Sequence, residues 1–226
     1  EVDRRRKLIA SLNDQIQVTE LLLVVDFTAS MEPEVLKTAD SIEAIVKSVR
    51  KEVEAGDVKN IVKVGLVLYS DLDGVNRVKL DDTARVFPLT AIDRNKPLSE
   101  QPVGKWVEEL RSKAKDKMLD KGGDNREQMF HALKLGIKKA EFSKYARKVV
   151  VLIGDYGSKR QSDSDEEDVA DLLASLTTVP DTKKKIVEKA PIDFFAFQVK
   201  SPAGDAANED LAAFPTQVKK IIDLYD

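Results

Sequence analysis

Asp26, Thr28 and Ser30 stand at alternate positions directly after an unbroken apolar run, LLLVV at 21–25. Asp71 and Asp73 follow a second apolar run, Asp124 follows the paired glycines 122 and 123, and Asp155 closes a third run as Gly154-Asp155. Carboxylates and hydroxyls are hard oxygen donors, and no lysine or arginine lies within these short motifs to neutralise them. Such a set suits Mg2+, with Mn2+ or Ca2+ as alternatives, held by carboxylate, hydroxyl and water oxygens. Thr28 and Ser30, two apart on one loop, can present both hydroxyls to the same ion. His131 is the only histidine, is read as a helix-surface residue, and has no cysteine to work with. Zinc and copper therefore lack their usual ligands.

For these residues to meet, the elements before them must end at one edge. The run 21–25 is apolar at every position, the mark of a strand buried on both faces. Pro33 fits the first turn of a helix, and Val35, Ala39, Ile42, Val46, Val49 and Val53 continue it as one apolar stripe. Residues 61–69 read as a second strand, which closes a βαβ unit. Residues 84–89 follow through a turn-rich connection without a helix, as expected of an antiparallel edge strand. Helices are expected over 103–118, with Trp106 in the core, and over 125–142. A strand follows at 149–153, then a helix opened by a capping-box pair, Ser164 and Glu167. A strand at 192–199 and a helix at 211–224, reset at Pro215, complete the chain.

This alternation predicts a Rossmann-like, doubly wound α/β fold: a mostly parallel sheet, one antiparallel edge strand, helices on both faces, and strand 21–25 inside. In such sheets ligands bind outside the carboxyl ends of the strands, where all the polar motifs fall. Residues 1–18 are expected to form a lead-in helix and 19–226 a single domain.

Composition narrows the function. The 37 basic and 40 acidic residues nearly balance, which disfavours a nucleic-acid surface. No apolar run is long enough to span or insert into a membrane, and no signal peptide opens the chain. The opening EVDRRR reads as the interior of a longer protein. The lack of cysteine excludes disulfides and thiol catalysis but is compatible with both bacterial cytoplasm and periplasm.

The pattern Asp26-x-Thr28-x-Ser30 after a buried first strand resembles the opening motif of the metal-ion-dependent adhesion site of von Willebrand factor type A domains. The Gly-Gly-Asp124 loop resembles that family's second motif, and Asp155 its closing aspartate. The Asp-x-Thr-x-Ser form is similar to a branch found beside bacterial and protist kinases and in bacterial secretion-associated proteins. The resemblance implies one divalent ion. Thr28, Ser30 and Asp124 would ligate it directly, Asp26 and Asp155 directly or through water, and Asp71 would accept a hydrogen bond from beyond the ligands. It implies a protein-interaction module, not an enzyme, whose protein partner the sequence does not name. The chain departs from the pattern in Gly154-Asp-Tyr-Gly157 and in having no evident sixth strand after Val199.

Each residue also has a plainer reading. Thr28 and Ser30 could cap the helix entered at Pro33, Asp124 could cap the helix carrying Met129, with Glu127 closing the box, and Asp71 and Asp73 could be turn residues. The domain would then be a structural assembly unit with a vestigial metal site. Enzymatic alternatives fare worse. A phosphotransferase or hydrolase of the haloacid dehalogenase type needs a second carboxylate where Thr28 stands. Phosphate-binding, dinucleotide-binding and nucleophile-elbow motifs are missing. A receiver domain would place Asp71 on a later strand than it occupies.

Overall fold

The computed structural model describes residues 17–54, 60–71, 84–115, 128–143, 146–158, 162–180, 187–189, 192–199 and 209–225. The lead-in segment, Asp73 and the glycine loop with Asp124 lie outside them. Five strands form the main sheet: β1 (Gln17–Asp26), β2 (Asn60–Tyr69), β3 (Ala84–Ala91), β4 (Arg147–Gly154) and β7 (Ile192–Gln198), in the order β3-β2-β1-β4-β7. β1 runs parallel to both neighbours, β4 and β7 are parallel, and β3 is antiparallel to β2. The central place of β1 and the antiparallel edge match the sequence expectation.

The helices are α1 (Glu32–Glu54), α2 (Pro102–Lys115), α3 (Met129–Ala140), α4 (Asp165–Thr177) and α5 (Glu209–Tyr225). Alternation along β1 sorts them into two layers. Leu23 and Val25 pack with Val35, Ala39, Ile42 and Val46 of α1 and Val103, Val107 and Leu110 of α2. Leu22 and Val24 pack with Leu133 and Ile137 of α3, Val169 and Leu173 of α4, and Phe214 and Ile221 of α5. A strand apolar on both faces is thus required, because each face has its own core. Trp106 is buried against Phe87 of β3, ring centroids 5.3 Å apart.

Three details differ from the expectation. The helix read as ending at Phe142 stops at Ala140, where Glu141 turns left-handed at φ 49°. Before α4, Ser164 bonds through its N–H to the Ser162 hydroxyl at 3.1 Å, and Asp165 accepts the Ser162 N–H, also at 3.1 Å. Helix α5 passes through Pro215 without a reset. Proline removes the N–H that would bond the carbonyl four residues back, and that carbonyl, Leu211, instead accepts Gln198 Nε2 at 2.6 Å. The structure also adds a short hairpin, β5 (Thr178–Pro180) and β6 (Val187–Lys189), that periodicity did not reveal.

At the amino end of the sheet, Glu20 of β1 is fully buried. Lys63 Nζ donates to its Oε1 at 2.7 Å, the Ser143 hydroxyl to the same oxygen at 2.6 Å, and the Ser143 N–H to Oε2 at 2.7 Å. Burial pushes the carboxyl up, but Lys63 and Ser143 together outweigh it and hold Glu20 below the ordinary glutamate value. A carboxyl with a lowered folded pKa contributes stability above its unfolded pKa, and that contribution is lost as pH falls through the folded pKa. Glu20→Gln should therefore reduce stability by about 1–3 kcal/mol at pH 7. Urea unfolding should show this gap to the parent shrinking as pH falls below the ordinary glutamate value of 4.5.

Candidate metal site

Three parallel strands deliver carboxylates to the opposite, carboxyl edge. Asp26 ends β1 beside Tyr69 of β2, and Val25 lies beside Ile153 of β4. Asp155 therefore follows one neighbour of β1 and Asp71 the other, and all three are fully buried. The Phe27 N–H donates to the Tyr69 carbonyl at 2.7 Å, which fixes the loop leaving β1 against β2.

Asp26 shapes that loop. Its Oδ1 accepts the Thr28 N–H at 2.9 Å and the Thr28 hydroxyl at 2.7 Å. Thr28 Oγ1 lies 3.1 Å from Ser30 Oγ. Thr28 occupies the N-cap position of a 3-10 turn, Ala29–Met31, yet its side chain makes no capping bond. The plain capping reading of Thr28 therefore fails, because its hydroxyl is turned back to Asp26.

The second oxygens tell more. Asp26 Oδ2 and Asp155 Oδ2 are both buried and have no hydrogen-bond partner among the described residues. Burial, reinforced by the charge of Asp155, pushes Asp26 well above the ordinary aspartate value, against the pull of the Thr28 bonds. Burial also raises Asp155, offset in part by its interactions with Ser30 and Asp26 and by the Tyr156 N–H, the Asp26 interaction favouring Asp155 as the charged member of the pair. Orphaned buried carboxylate oxygens are costly unless neutralised. A divalent cation is what such a pair, flanked by two hydroxyls, fits. No group of three or more His, Cys, Asp or Glu side chains is placed to hold a metal among the described residues. The described donors are two carboxylates and two hydroxyls.

The loop after β4 is held from behind by groups that the sequence reading passed over. Gln198 Nε2 donates to the Asp155 carbonyl at 2.9 Å as well as to Leu211. Gln217 of α5 accepts the Ser158 N–H at 2.7 Å and donates to the Ser158 carbonyl at 3.0 Å. A Cβ at Gly157 would sit 2.5 Å from the Cβ of Ala213, and one at Gly154 would sit 2.4 Å from the Tyr69 hydroxyl. The Gly154-Asp-Tyr-Gly157 departure is thus the close seating of this loop on α5 and β2. Proline at 215 was the available clue, since a freed carbonyl at Leu211 demands an outside donor. His131, half-buried, lines a groove between α3 and α4 with Lys134, Leu135 and Asp168.

No protein-family model matches the chain, and no curated protein matches it. Two crystal structures of the pilus adhesin SpaC from Lactobacillus rhamnosus GG are similar in fold. One is 16% identical over 62% of this chain with a TM-score of 0.44, the other, an open conformation, 12% identical over 93% with a TM-score of 0.46. The chain spans 16% and 30% of those two adhesin chains. An aerotolerance-related membrane protein from Bacteroides fragilis NCTC 9343, with multiple mutations to serines, is 13% identical. That match covers 89% of this chain and 99% of the other at a TM-score of 0.41.

The buried pair makes a prediction without any metal. Asp26→Asn keeps an Oδ1 for both Thr28 bonds and removes a buried carboxyl whose ionisation burial and Asp155 oppose. Without divalent cations at pH 7.5, the variant should melt higher than the parent by about 1–3 kcal/mol, or roughly 2–10 °C. Calorimetry that finds it melting lower would show that the two carboxylates are already compensated.

Proposed function

We propose that this chain is a von Willebrand factor type A-like interaction domain that holds one Mg2+ or Mn2+ at the carboxyl end of its sheet and binds a protein partner without catalysis. The observation that carries the reading is the pair of buried, partnerless oxygens on Asp26 and Asp155 beside the Thr28 and Ser30 hydroxyls. Thr28, Ser30, Asp26 and Asp155 would hold the ion, with Asp124 from the glycine loop completing the set. Asp71, buried at the end of β2, would act from behind it. When bound, the ion supplies positive charge and an open position for an oxygen ligand.

The rest of the site favours binding over catalysis. Thr28 takes the place where a phosphotransferase would need its acid/base, and its hydroxyl donates a hydrogen bond to Asp26. The doubly fastened loop at Asp155 and Ser158 suits a fixed recognition surface. Three carboxylates, Asp26, Asp124 and Asp155, around one 2+ ion leave a local sum of about −1. An acidic partner group then meets repulsion at the open position, so water or a neutral oxygen is the favoured last ligand. The ion's main work is to lock the loops in a partner-binding shape.

Metal titration tests the reading directly. Mg2+ at about a hundred times its Kd should stabilise the parent by about 2.7 kcal/mol, and Asp26→Ala should abolish that gain. A parent that melts identically with Mg2+ and with chelator would mark the site as vestigial. A variant that still responds like the parent would move the site elsewhere.

The charge count predicts a second outcome. Asp124→Thr should strengthen binding of acetate or an acidic peptide to the metal-loaded domain by about tenfold, the equivalent of about 1.4 kcal/mol. Equal binding by parent and variant, measured by calorimetry, would contradict the repulsion.

A further inference from the structure

The two edges of the main sheet are built differently. β3 carries features that keep another strand from adding to it: Pro88 has no N–H to offer, the pairing with β2 shifts register between Val64 and Leu66, and Arg85 puts a charge on the strand. β7, at the other edge, contains no proline, lysine or arginine. Its single charge, Asp193, is engaged by Arg147 of β4 at 2.7 Å. The Val199 N–H donates to the Gly154 carbonyl at 2.8 Å, so the main chain of Val199 points at β4, as do Phe197 and Phe195 by alternation. Phe194, Ala196 and Gln198 therefore turn their N–H and C=O groups away from β4. The Ile192 carbonyl, in the same phase, accepts the Tyr225 hydroxyl at 3.4 Å. No described residue bonds the outward main-chain groups of Phe194, Ala196 and Gln198. The side chains beside that edge are apolar on both faces. Phe195 and Phe197 are 47% and 56% exposed on one, and on the other Ala196 lines a groove with Pro215, Val218 and Ile222 of α5.

We propose that β7 pairs antiparallel with β7 of a second copy of this chain, joining two sheets into one across a two-fold axis at Ala196. A strand laid antiparallel to its own copy is self-complementary, so one patch serves both chains and the contact closes as a dimer. With Ala196 opposite Ala196, Phe194 of each copy faces Gln198 of the other, and all the outward N–H and C=O groups meet in hydrogen-bonded pairs. The same register sets Phe195 against Phe197 in the closer, non-hydrogen-bonded sites, where aromatic side chains pair well. Asp193 falls opposite Val199, which keeps the two Asp193 carboxylates at opposite ends of the ribbon. The guarded edge at β3 leaves β7 as the strand that can accept β7. A second copy also arrives with this strand already ordered, whereas a flexible peptide would first lose the conformational entropy of every residue it adds. A seven-residue strand with two half-exposed phenylalanines falls short of the roughly 1,600 Å2 of a standard interface. The dimer is therefore reversible, with dissociation in the micromolar-to-millimolar range. The pairing uses none of the residues assigned to the metal.

Sedimentation of the purified chain in chelator tests the pairing. The average mass should rise from monomer toward dimer between about 5 µM and about 500 µM. Phe195→Lys with Phe197→Lys sets ammonium against ammonium in this register, so that variant should stay monomeric over the same range with the parent's circular dichroism. A parent that stays monomeric, or a folded variant that associates like the parent, would overturn the proposal. Amide hydrogen exchange read by NMR needs no variant and reports which groups pair. The N–H groups of Phe194, Ala196 and Gln198 should exchange about tenfold more slowly at the higher concentration, while those of Phe195, Phe197 and Val199 should be protected equally at both. Equal rates for the first set at the two concentrations would contradict the second copy, and if those rates are slow they would assign the edge to a cover from the same chain.

Discussion

The organising constraint is the burial of Asp26 at the end of the central strand. Parallel packing on both sides places β2 and β4 against β1, so whatever follows those strands arrives at the same edge. Asp155 is buried beside Asp26 on that edge, and neither second oxygen has a hydrogen-bond partner among the described residues. Two buried carboxylates with unsatisfied oxygens oppose folding at neutral pH. The apolar runs of β1, β2 and β4 supply the burial that tolerates this cost, since each strand is packed from both layers.

The acids at the two ends of β1 show how surroundings decide a role. Glu20 and Asp26 are six residues apart on one strand, and both are fully buried. Glu20 meets an ammonium and two donors from Ser143, so it is held ionised and fastens the turn after α3 to the sheet. Asp26 meets a threonine and another aspartate, so burial and that neighbour push its pKa up instead of down. Identical burial thus yields a structural tie at one edge and a candidate binding site at the other.

Much of this was legible in the sequence because it rests on local rules. The unbroken run at 21–25 announced a strand with a core on each side, and the turn-rich sequence before Ala84, which carries no helical pattern, announced the antiparallel edge. The stripe from Val35 to Val46 lies buried as its spacing required. Asp26, Thr28, Ser30, Asp71 and Asp155 were legible as residues that end strands at one edge, while Asp124 lies outside the described residues. What escaped was non-local. Gln198 and Gln217 carry no motif, and their work depends on α5 lying across the loop after Asp155. The unbroken passage of α5 through Pro215 also depends on Gln198, a donor from a different element. Periodicity sees one helix at a time and cannot supply that donor.

The central claim is that Asp26 and Asp155 share a divalent cation with Thr28 and Ser30. Crystals soaked in Mn2+ and measured at the manganese absorption edge test it with a signal that belongs to the metal alone. The account predicts one anomalous peak per chain, within coordination distance of the Thr28 and Ser30 hydroxyls and between the Asp26 and Asp155 carboxylates. A peak elsewhere on the chain, or none at Mn2+ concentrations that saturate ordinary carboxylate sites, would contradict it.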